Sequence, residues 1–182
     1  MFDITKSKIP GCLELQPKIL EDARGRFVKV FHEQAFAEHG LETKFAEEYY
    51  SISSKNVIRG LHFQLPPMDH VKMVYCVEGE VIDVVVDLRV GSPAYGQHAI
   101  FELSAQKANS VYIPKGLAHG FCVLSEEAIM VYKVGTVYSP KHDAGISWDS
   151  VGIVWPTSEA NLSLRDKNFP TLAQFDSPFI YE

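Results

Sequence analysis

The sequence predicts an all-β fold, of the barrel or sandwich type to which jelly rolls belong. Its 182 residues contain many short apolar or alternating segments, which glycine, proline or acidic turns separate at short intervals. Segments of this kind and spacing are typical of barrels and sandwiches. With 46% hydrophobic residues the chain can bury a substantial core, and its length favours a single domain covering residues 1–182.

The N-terminal part of the chain is predicted to contain two strands and a short helix. Between Ile9 and His32, short apolar stretches flank a turn at residues 21–26, which indicates two strands. Residues 32–39 have a composition compatible with one or two helical turns, and Gly40 provides a C-terminal stop.

From Phe45 the pattern is β-like throughout the middle of the chain. Residues 71–77 and 81–88 form apolar runs on either side of Gly79, so we predict a hairpin at the centre of the core. Further strands are predicted at 99–103, 110–113, 120–124 and 128–134. After Pro140 the β signal weakens, and we expect residues of about 140–182 to wrap across the barrel, with a short helix near 171–175.

Charge and cysteine content limit the classes of partner and compartment. The net charge is −6 and no basic run is present, which argues against nucleic acid and anionic membrane as partners. No apolar run approaches the roughly 18 residues of a membrane span, and the N-terminus lacks a signal-peptide pattern. The odd number of cysteines and the lack of CxxC spacing favour buried free thiols in a reducing compartment. We therefore expect a cytoplasmic protein.

Two segments carry residues suited to chemistry, Arg59–Gln64 and Pro114–Phe121. The spacing Pro114-x-Gly116-x-x-His119 resembles the second signature of the cupin superfamily, in which a histidine points into the barrel. Metal-binding cupins need two histidines one residue apart, because alternate side chains of a strand share a face. Here Gln64 stands two residues after His62, and glutamine is a poor ligand for zinc or iron. We therefore expect no metal site; a metal-dependent cupin is the alternative.

The ordered combination of motifs resembles the dTDP-4-dehydrorhamnose 3,5-epimerase family over nearly the whole chain. The motifs are Ser51 to Gln64, Val71-Lys72, Gly79-Glu80-Val81, Asp87-Leu88-Arg89, Ser92-Pro93, Ile113-Pro114, His119-Gly120-Phe121, Tyr132-Lys133, Trp155-Pro156 and Leu162-Ser163-x-x-Asp166-Lys167. The resemblance implies a cupin-type jelly-roll barrel with a few short helices. It also implies a homodimer that exchanges N-terminal strands, with residues of about 1–45 at the interface. The substrate that the resemblance implies is a nucleotide-diphospho-sugar of the 4-keto-6-deoxy type, which would be epimerised at C3 and/or C5 without a cofactor.

The resemblance assigns four catalytic residues. His62 matches the base, Asp166 the carboxylate that orients it, and Tyr132 the acid on the opposite face of the sugar. Lys72 matches the cation near the C4 oxygen, where charge develops in the enolate. A ketone at C4 acidifies the protons on C3 and C5, so the substrate supplies its own electron sink. From the residues alone, His62 and Tyr132 are also compatible with core positions, and Lys72 with a solvated strand.

The resemblance also assigns substrate-binding positions. Arg59 and His119 match pyrophosphate contacts, Tyr138 matches an aromatic that stacks on the base, and Arg24 matches a nucleotide contact that reaches the partner's site. The full set of expected binding residues is Arg24, Glu47, Tyr49, Arg59, Gln64, Lys72, His119, Tyr138, Asp143 and Lys167. For Tyr138, Asp143 and Lys167, surface positions without a role are the alternative.

Three residues depart from the family pattern. Lys29 replaces a glutamate, and Glu47 and Tyr49 replace a Gln-x-Asn pair. These exchanges alter charge and shape where selectivity is set. The alternatives that remain are an epimerase specific for C3 or C5, a different nucleotide or sugar, a related 3,4-ketoisomerase, and a nucleotide-sugar-binding cupin without catalysis.

Overall fold

A computed structural model describes residues 1–182 and shows a protein of thirteen strands with very little helix. The strands are β1 (Phe2–Lys6), β2 (Leu13–Pro17), β3 (Ile19–Asp22), β4 (Gly25–Val28), β5 (Glu47–Ser54), β6 (Ile58–Gln64), β7 (Lys72–Glu78), β8 (Glu80–Asp87), β9 (His98–Ser104), β10 (Ser110–Ile113), β11 (Leu117–Val123), β12 (Glu127–Val134) and β13 (Asp143–Gly145). The helices are α1 (Glu33–Glu38), α2 (Leu164–Lys167) and a 3₁₀ turn at Leu172–Gln174. The prediction of an all-β fold with a few short helices is confirmed.

The strands form two large antiparallel sheets. The first has the order β1-β2-β10-β7-β12-β5 and the second the order β13-β6-β11-β8-β9, while β3 and β4 form a separate two-stranded hairpin. Buried side chains from both large sheets form the main core, including Val74, Val85, Phe121 and Met130. This arrangement explains the many short apolar segments, since inward positions of both sheets must be apolar.

The predicted hairpin between β7 and β8 is wrong. Strand β7 pairs with β10 and β12, whereas β8 pairs with β11 and β9, so the chain passes from one sheet to the other at Gly79. Gly79 has a φ of +76°, and a Cβ atom there would lie 2.2 Å from the carbonyl oxygen of Glu127. A short turn between two apolar strands does not by itself determine whether they pair or face each other across a core.

The N-terminal part contains more strands than predicted. Strand β1 was not expected, and the segment from Ile9 to His32 holds three strands rather than two. The helix ending before Gly40 is confirmed as α1. The β3–β4 hairpin extends from the body with Leu20 and Phe27 exposed by 51% and 61%, and Arg26 donates to the backbone oxygen of Gln106.

The C-terminal segment covers the outer face of the second sheet. Ile146, Ile153 and Phe179 pack with Val84 and Val86 of β8 in a second buried cluster. Strand β8 is therefore apolar on both faces, because Val81 and Val85 belong to the main core. The predicted helix near residues 171–175 is confirmed as the 3₁₀ turn, whereas α2 and β13 were not expected.

Neither helix has the length and apolar content that a membrane-spanning segment needs. The three cysteines, Cys12, Cys76 and Cys122, are buried and unpaired.

Candidate active site

An open cavity of about 450 Å³ contains most of the residues selected from the sequence. It is lined by Glu47, Tyr49, Ser51, Arg59, His62, Phe63, Gln64, His70, Lys72, His119, Phe121, Tyr132, Val134, Tyr138, Asp143 and Arg165. These residues come from both large sheets and from the C-terminal segment. The fold therefore gathers side chains that are far apart in sequence.

His62 of β6 and Asp166 of α2 form an imidazole–carboxylate pair behind one wall of the cavity. The distance from His62 Nε2 to Asp166 Oδ1 is 2.7 Å, although the residues are 104 positions apart. Burial alone would raise the pKa of Asp166, but hydrogen bonds from His62, Gly60 and Ser163 lower it below its ordinary value. An ionised carboxylate can only accept, so His62 donates through Nε2 and keeps a lone pair on Nδ1. The pair thus presents a basic nitrogen.

Two glycines bring β6 close to β11 beside this histidine. A Cβ atom on Gly60 would lie 2.6 Å from the Cα atom of Gly120, and one on Gly120 would lie 2.6 Å from the carbonyl oxygen of Arg59. This close approach sets His62 opposite His119 in the antiparallel register. Side chains at both positions would separate the strands and move the two imidazoles.

Tyr132 of β12 is almost fully buried, with 6% exposure. Its hydroxyl lies 3.0 Å from Ser51 Oγ. Burial raises the pKa of Tyr132 far above its ordinary value, against the hydrogen bond from Ser51. The phenol therefore keeps its proton at neutral pH and is available as an acid.

Lys72 of β7 is half-buried in the cavity wall. Burial lowers the pKa of Lys72 from 10.5 to about 8, while the charges of Asp83 and Asp143 oppose the decrease. The ammonium group remains charged at neutral pH and can stabilise a developing negative charge in the cavity.

A second imidazole–carboxylate pair joins His119 of β11 to Asp83 of β8. His119 Nε2 lies 2.7 Å from Asp83 Oδ2, and both side chains are buried. Burial lowers the pKa of His119, against the carboxylate of Asp83. Asp83 was missed from the sequence, although a carboxylate within the apolar run 81–88 is a signal that could have identified it.

Polar residues at the mouth of the cavity form a hydrogen-bond network. The hydroxyl of Tyr138 donates to Asp143 Oδ2 at 3.1 Å, and Arg165 Nη2 donates to Asp143 Oδ1 at 2.7 Å. The backbone N–H of Tyr138 donates to Glu47 Oε2 at 2.9 Å. Arg165 was also missed from the sequence; it lies one position before Asp166, which could have identified it.

Arg59 and Gln64, both on β6, have different surroundings in the wall. Arg59 is exposed and donates through Nε to Ser53 Oγ at 2.9 Å. Gln64 is 6% exposed, and its amide bonds the segment after β12: Nε2 donates to the carbonyl oxygen of Val137 at 3.2 Å, and Oε1 accepts from the N–H of Ser139 at 2.6 Å. Gln64 therefore supports the loop that carries Tyr138.

Two predicted binding residues do not line the cavity of their own chain. Arg24 lies at the tip of the β3–β4 hairpin, fully exposed, and pairs with Asp22. Lys167 is exposed on α2, where Arg165 reaches the cavity instead. Of the three departures from the family pattern, Glu47 and Tyr49 line the cavity, whereas Lys29 is exposed after β4.

Comparison with known proteins identifies the family of this chain. A family model described as dTDP-4-dehydrorhamnose 3,5-epimerase matches residues 6–174. An enzyme of that name from Shigella flexneri is 43% identical over 170 residues, covering 92% of this chain and 94% of the relative. A dTDP-4-dehydrorhamnose 3-epimerase from Streptomyces niveus is 39% identical over 169 residues, covering 91% and 82%.

Solved structures show the same fold. A crystal structure of dTDP-6-deoxy-D-glucose-3,5-epimerase from Legionella pneumophila, in complex with dTDP-4-keto-L-rhamnose, has a TM-score of 0.95 and 34% identity, with 100% of both chains covered. The predicted cupin-type jelly roll is confirmed by this likeness. The chain belongs to the dTDP-4-dehydrorhamnose 3,5-epimerase family.

Proposed function

We propose that this protein epimerises C3, C5 or both in a nucleotide-linked 4-keto-6-deoxy sugar, without a metal or organic cofactor. The observation that carries the proposal is the presence in one cavity of a base, His62 backed by Asp166, and a protonated phenol, Tyr132. Lys72 adds a cation to the same cavity. Inversion at a carbon next to a ketone requires these three functions and no redox chemistry.

The proposed reaction has two proton transfers. Nδ1 of His62 removes the proton from C3 or C5, and the C–H electrons form the enolate with the charge on the C4 oxygen. The ammonium of Lys72 stabilises that oxygen. The phenol O–H of Tyr132 then breaks and a new C–H bond forms on the opposite face, which restores the ketone. The phenolate regains a proton from solvent and His62 loses its proton to solvent.

Cations near the cavity support a pyrophosphate-linked substrate. Arg59 and Arg165 both line it, and an arginine fork can bind two phosphate oxygens. Because the chain carries a net charge of −6, these local cations must offset long-range repulsion of an anionic substrate. Arg165 would exchange its bond to Asp143 for phosphate. His119, whose Nε2 is held by Asp83, has Nδ1 left for a substrate contact.

The relatives differ in which carbon atoms of the sugar they invert. The Shigella relative is named a 3,5-epimerase and the Streptomyces relative a 3-epimerase, at similar identity to this chain. We propose a dTDP-linked sugar as the substrate, with inversion at both carbons. Inversion at C3 alone is the second candidate, because Glu47 and Tyr49 alter the wall next to Tyr132.

We further propose a homodimer in the cytoplasm. The β3–β4 hairpin exposes Leu20 and Phe27, which a second copy would cover. Its tip carries Arg24, which would then reach the partner's cavity. Residues of about 1–45 would then form the interface with strand exchange. Three buried unpaired thiols are compatible with a reducing compartment.

Solvent exchange in deuterated water tests the enzymatic proposal. The wild type is offered a panel of nucleotide-linked 4-keto-6-deoxy sugars, and NMR follows deuterium and configuration at C3 and C5. We expect deuterium with inversion for the wild type and no exchange for His62→Ala. Tyr132→Phe should retain wash-in and lose inversion by about 10²-fold or more. His39→Ala, at an exposed site outside the cavity, is the control.

A wild-type protein that binds the sugars in calorimetry but incorporates no deuterium would contradict the proposal and favour a binding protein. Normal inversion by Tyr132→Phe would contradict the role of the acid alone.

A further inference from the structure

Tyr49 contacts the proposed acid directly. It lies on β5, an edge strand of the first sheet, and is paired with Tyr132 of β12 in the antiparallel register. Side chains of directly opposed residues lie on one face of a sheet, which here is the cavity face. The two rings stack with centroids 4.8 Å apart and planes 15° apart. One face of the acid is therefore covered by a second phenol ring.

The other contacts of Tyr132 complete an enclosure. Its hydroxyl lies 3.0 Å from Ser51 Oγ, and its ring meets the His119 ring at 74° with centroids 6.2 Å apart. Tyr132 itself is 6% exposed, whereas Tyr49 is 43% exposed. Tyr49 therefore lies between the ring of Tyr132 and the solvent at the mouth of the cavity.

We propose, on the basis of the function given above, that Tyr49 is a positioning residue for Tyr132, whose stacked ring holds the acid in the orientation that protonates the carbon from one side. Proton transfer needs donor and acceptor within hydrogen-bond reach, and small displacements of a catalytic group are costly. Without the stacked ring, Tyr132 would have space to turn towards the mouth and away from the sugar.

The ring of Tyr49, rather than its hydroxyl, provides this function. The Tyr49 hydroxyl has no hydrogen-bond partner among the protein groups around it. Partial desolvation at the cavity wall, together with the charges of Glu47 and Asp143, raises the pKa of Tyr49, so the group is neutral near pH 7. Stacking depends on the aromatic face, which phenylalanine supplies equally well.

Three variants test the proposal with a dTDP-linked 4-keto-6-deoxy sugar in deuterated water. The measured quantity is the ratio of inverted product to deuterium wash-in with retained configuration, because wash-in reports His62 and inversion reports Tyr132. We expect Tyr49→Leu, which keeps an apolar side chain without the stack, to lower this ratio by about tenfold, with wash-in unchanged, and Tyr49→Phe to preserve it within about twofold. Tyr50→Leu loses a 67% exposed ring on the other face of β5 and should match the wild type.

Each result has a defined meaning. A normal ratio in Tyr49→Leu, or a rise in KM with an unchanged ratio, would contradict the positioning role and leave Tyr49 as a wall of the cavity. A low ratio in Tyr49→Phe would contradict it in favour of a role for the hydroxyl. If Tyr49→Leu is less folded by circular dichroism, Tyr49→Met, which also keeps an apolar side chain without the stack, replaces it with the same expectation. Absence of any exchange in the wild type would instead contradict the proposed function.

Discussion

Burial shifts Tyr132 and Lys72 in the cavity wall towards their neutral forms. A low-dielectric environment disfavours charge, so it raises the pKa of Tyr132 and lowers the pKa of Lys72. For the phenol the change secures the proton that the acid must deliver. For the lysine the change means that the ammonium loses its proton at mildly alkaline pH. The contact of Lys72 with the enolate oxygen therefore depends on pH.

The lowered pKa of Lys72 predicts that activity decreases at alkaline pH. The neutral amine above a pH of about 8 no longer stabilises the enolate, so kcat/KM should fall as pH rises through that value. Lys72→Met should lower the rate by about 10²-fold and remove this limb. The exposed Lys55→Met should retain it. A pH–rate profile checks the expectation, and a wild-type rate that stays level up to pH 10 would contradict it.

Deprotonation of Lys72 does not destabilise the fold, so unfolding would not explain the fall in kcat/KM at alkaline pH. The pKa of Lys72 is lower in the folded state than in the unfolded chain, so the unfolded chain holds more protons between a pH of about 8 and 10.5. The contribution of this residue to stability therefore rises with pH over that range.

At the scale of elements, the turn after β8 is held by a buried ion pair. Asp87 accepts from Arg89 Nε at 2.9 Å, from Arg89 Nη2 at 2.7 Å and from Ser92 Oγ at 2.7 Å. Arg89 also donates to the carbonyl oxygen of Pro10, which ties this turn to the segment before β2. Burial alone would raise the pKa of Asp87, but the bonds from Arg89 and Ser92 lower it.

Asp87→Asn should destabilise the protein by about 3 kcal/mol, because it leaves the buried guanidinium without a counter-charge. The lowered pKa of Asp87 adds a pH dependence. Its contribution is complete above the unfolded value of 3.8 and is lost as pH falls through the folded pKa, so the variant should lose less stability on acidification.

Urea denaturation of both proteins between pH 2 and 7 measures these effects. Glu126→Gln, which breaks the exposed pair with Lys55, is the control and should leave the midpoint unchanged. Equal midpoints for Asp87→Asn and the wild type would contradict the prediction.

At the scale of the whole molecule, the β3–β4 hairpin belongs to neither large sheet, although Arg26 bonds it to Gln106. Its strands pair with each other and with neither large sheet. Leu20 and Phe27 are exposed on the surface of this hairpin. In the proposed homodimer, a second copy of the chain covers these apolar side chains. The body, in contrast, has its main core shared by both large sheets, and we expect residues 1–182 to unfold as one domain.

Leu20→Glu combined with Phe27→Glu should convert the proposed dimer into a monomer, because the interface would then bury two unpaired charges. Sedimentation equilibrium measures the molar mass of each protein. Val154→Glu, at an apolar position that is 87% exposed outside the hairpin, should leave the dimer intact. A monomeric wild type, or a dimeric double variant, would contradict the role of the hairpin.

The class of fold, the position of most strands and the identity of the main candidate residues follow from the amino-acid sequence alone. Short segments of β-branched and aromatic residues between glycine and proline turns can bury apolar side chains in few other ways. The ordered motifs around His62, His119, Tyr132 and Asp166 were sufficient to identify the family resemblance. Strand patterns depend on neighbouring residues, and motifs depend on the residue types themselves, so both can be recognised without the tertiary structure.

The pairing of strands and the contacts between distant side chains could not be predicted from the sequence and are known from the folded structure. An apolar run shows that a strand is buried but does not name its partner, so the crossing at Gly79 was predicted as a hairpin. The pair of His119 with Asp83, the reach of Arg165 into the cavity and the stack of Tyr49 on Tyr132 depend on register between distant strands and on the path of the C-terminal segment. Register follows from the packing of the whole core, which no single segment encodes.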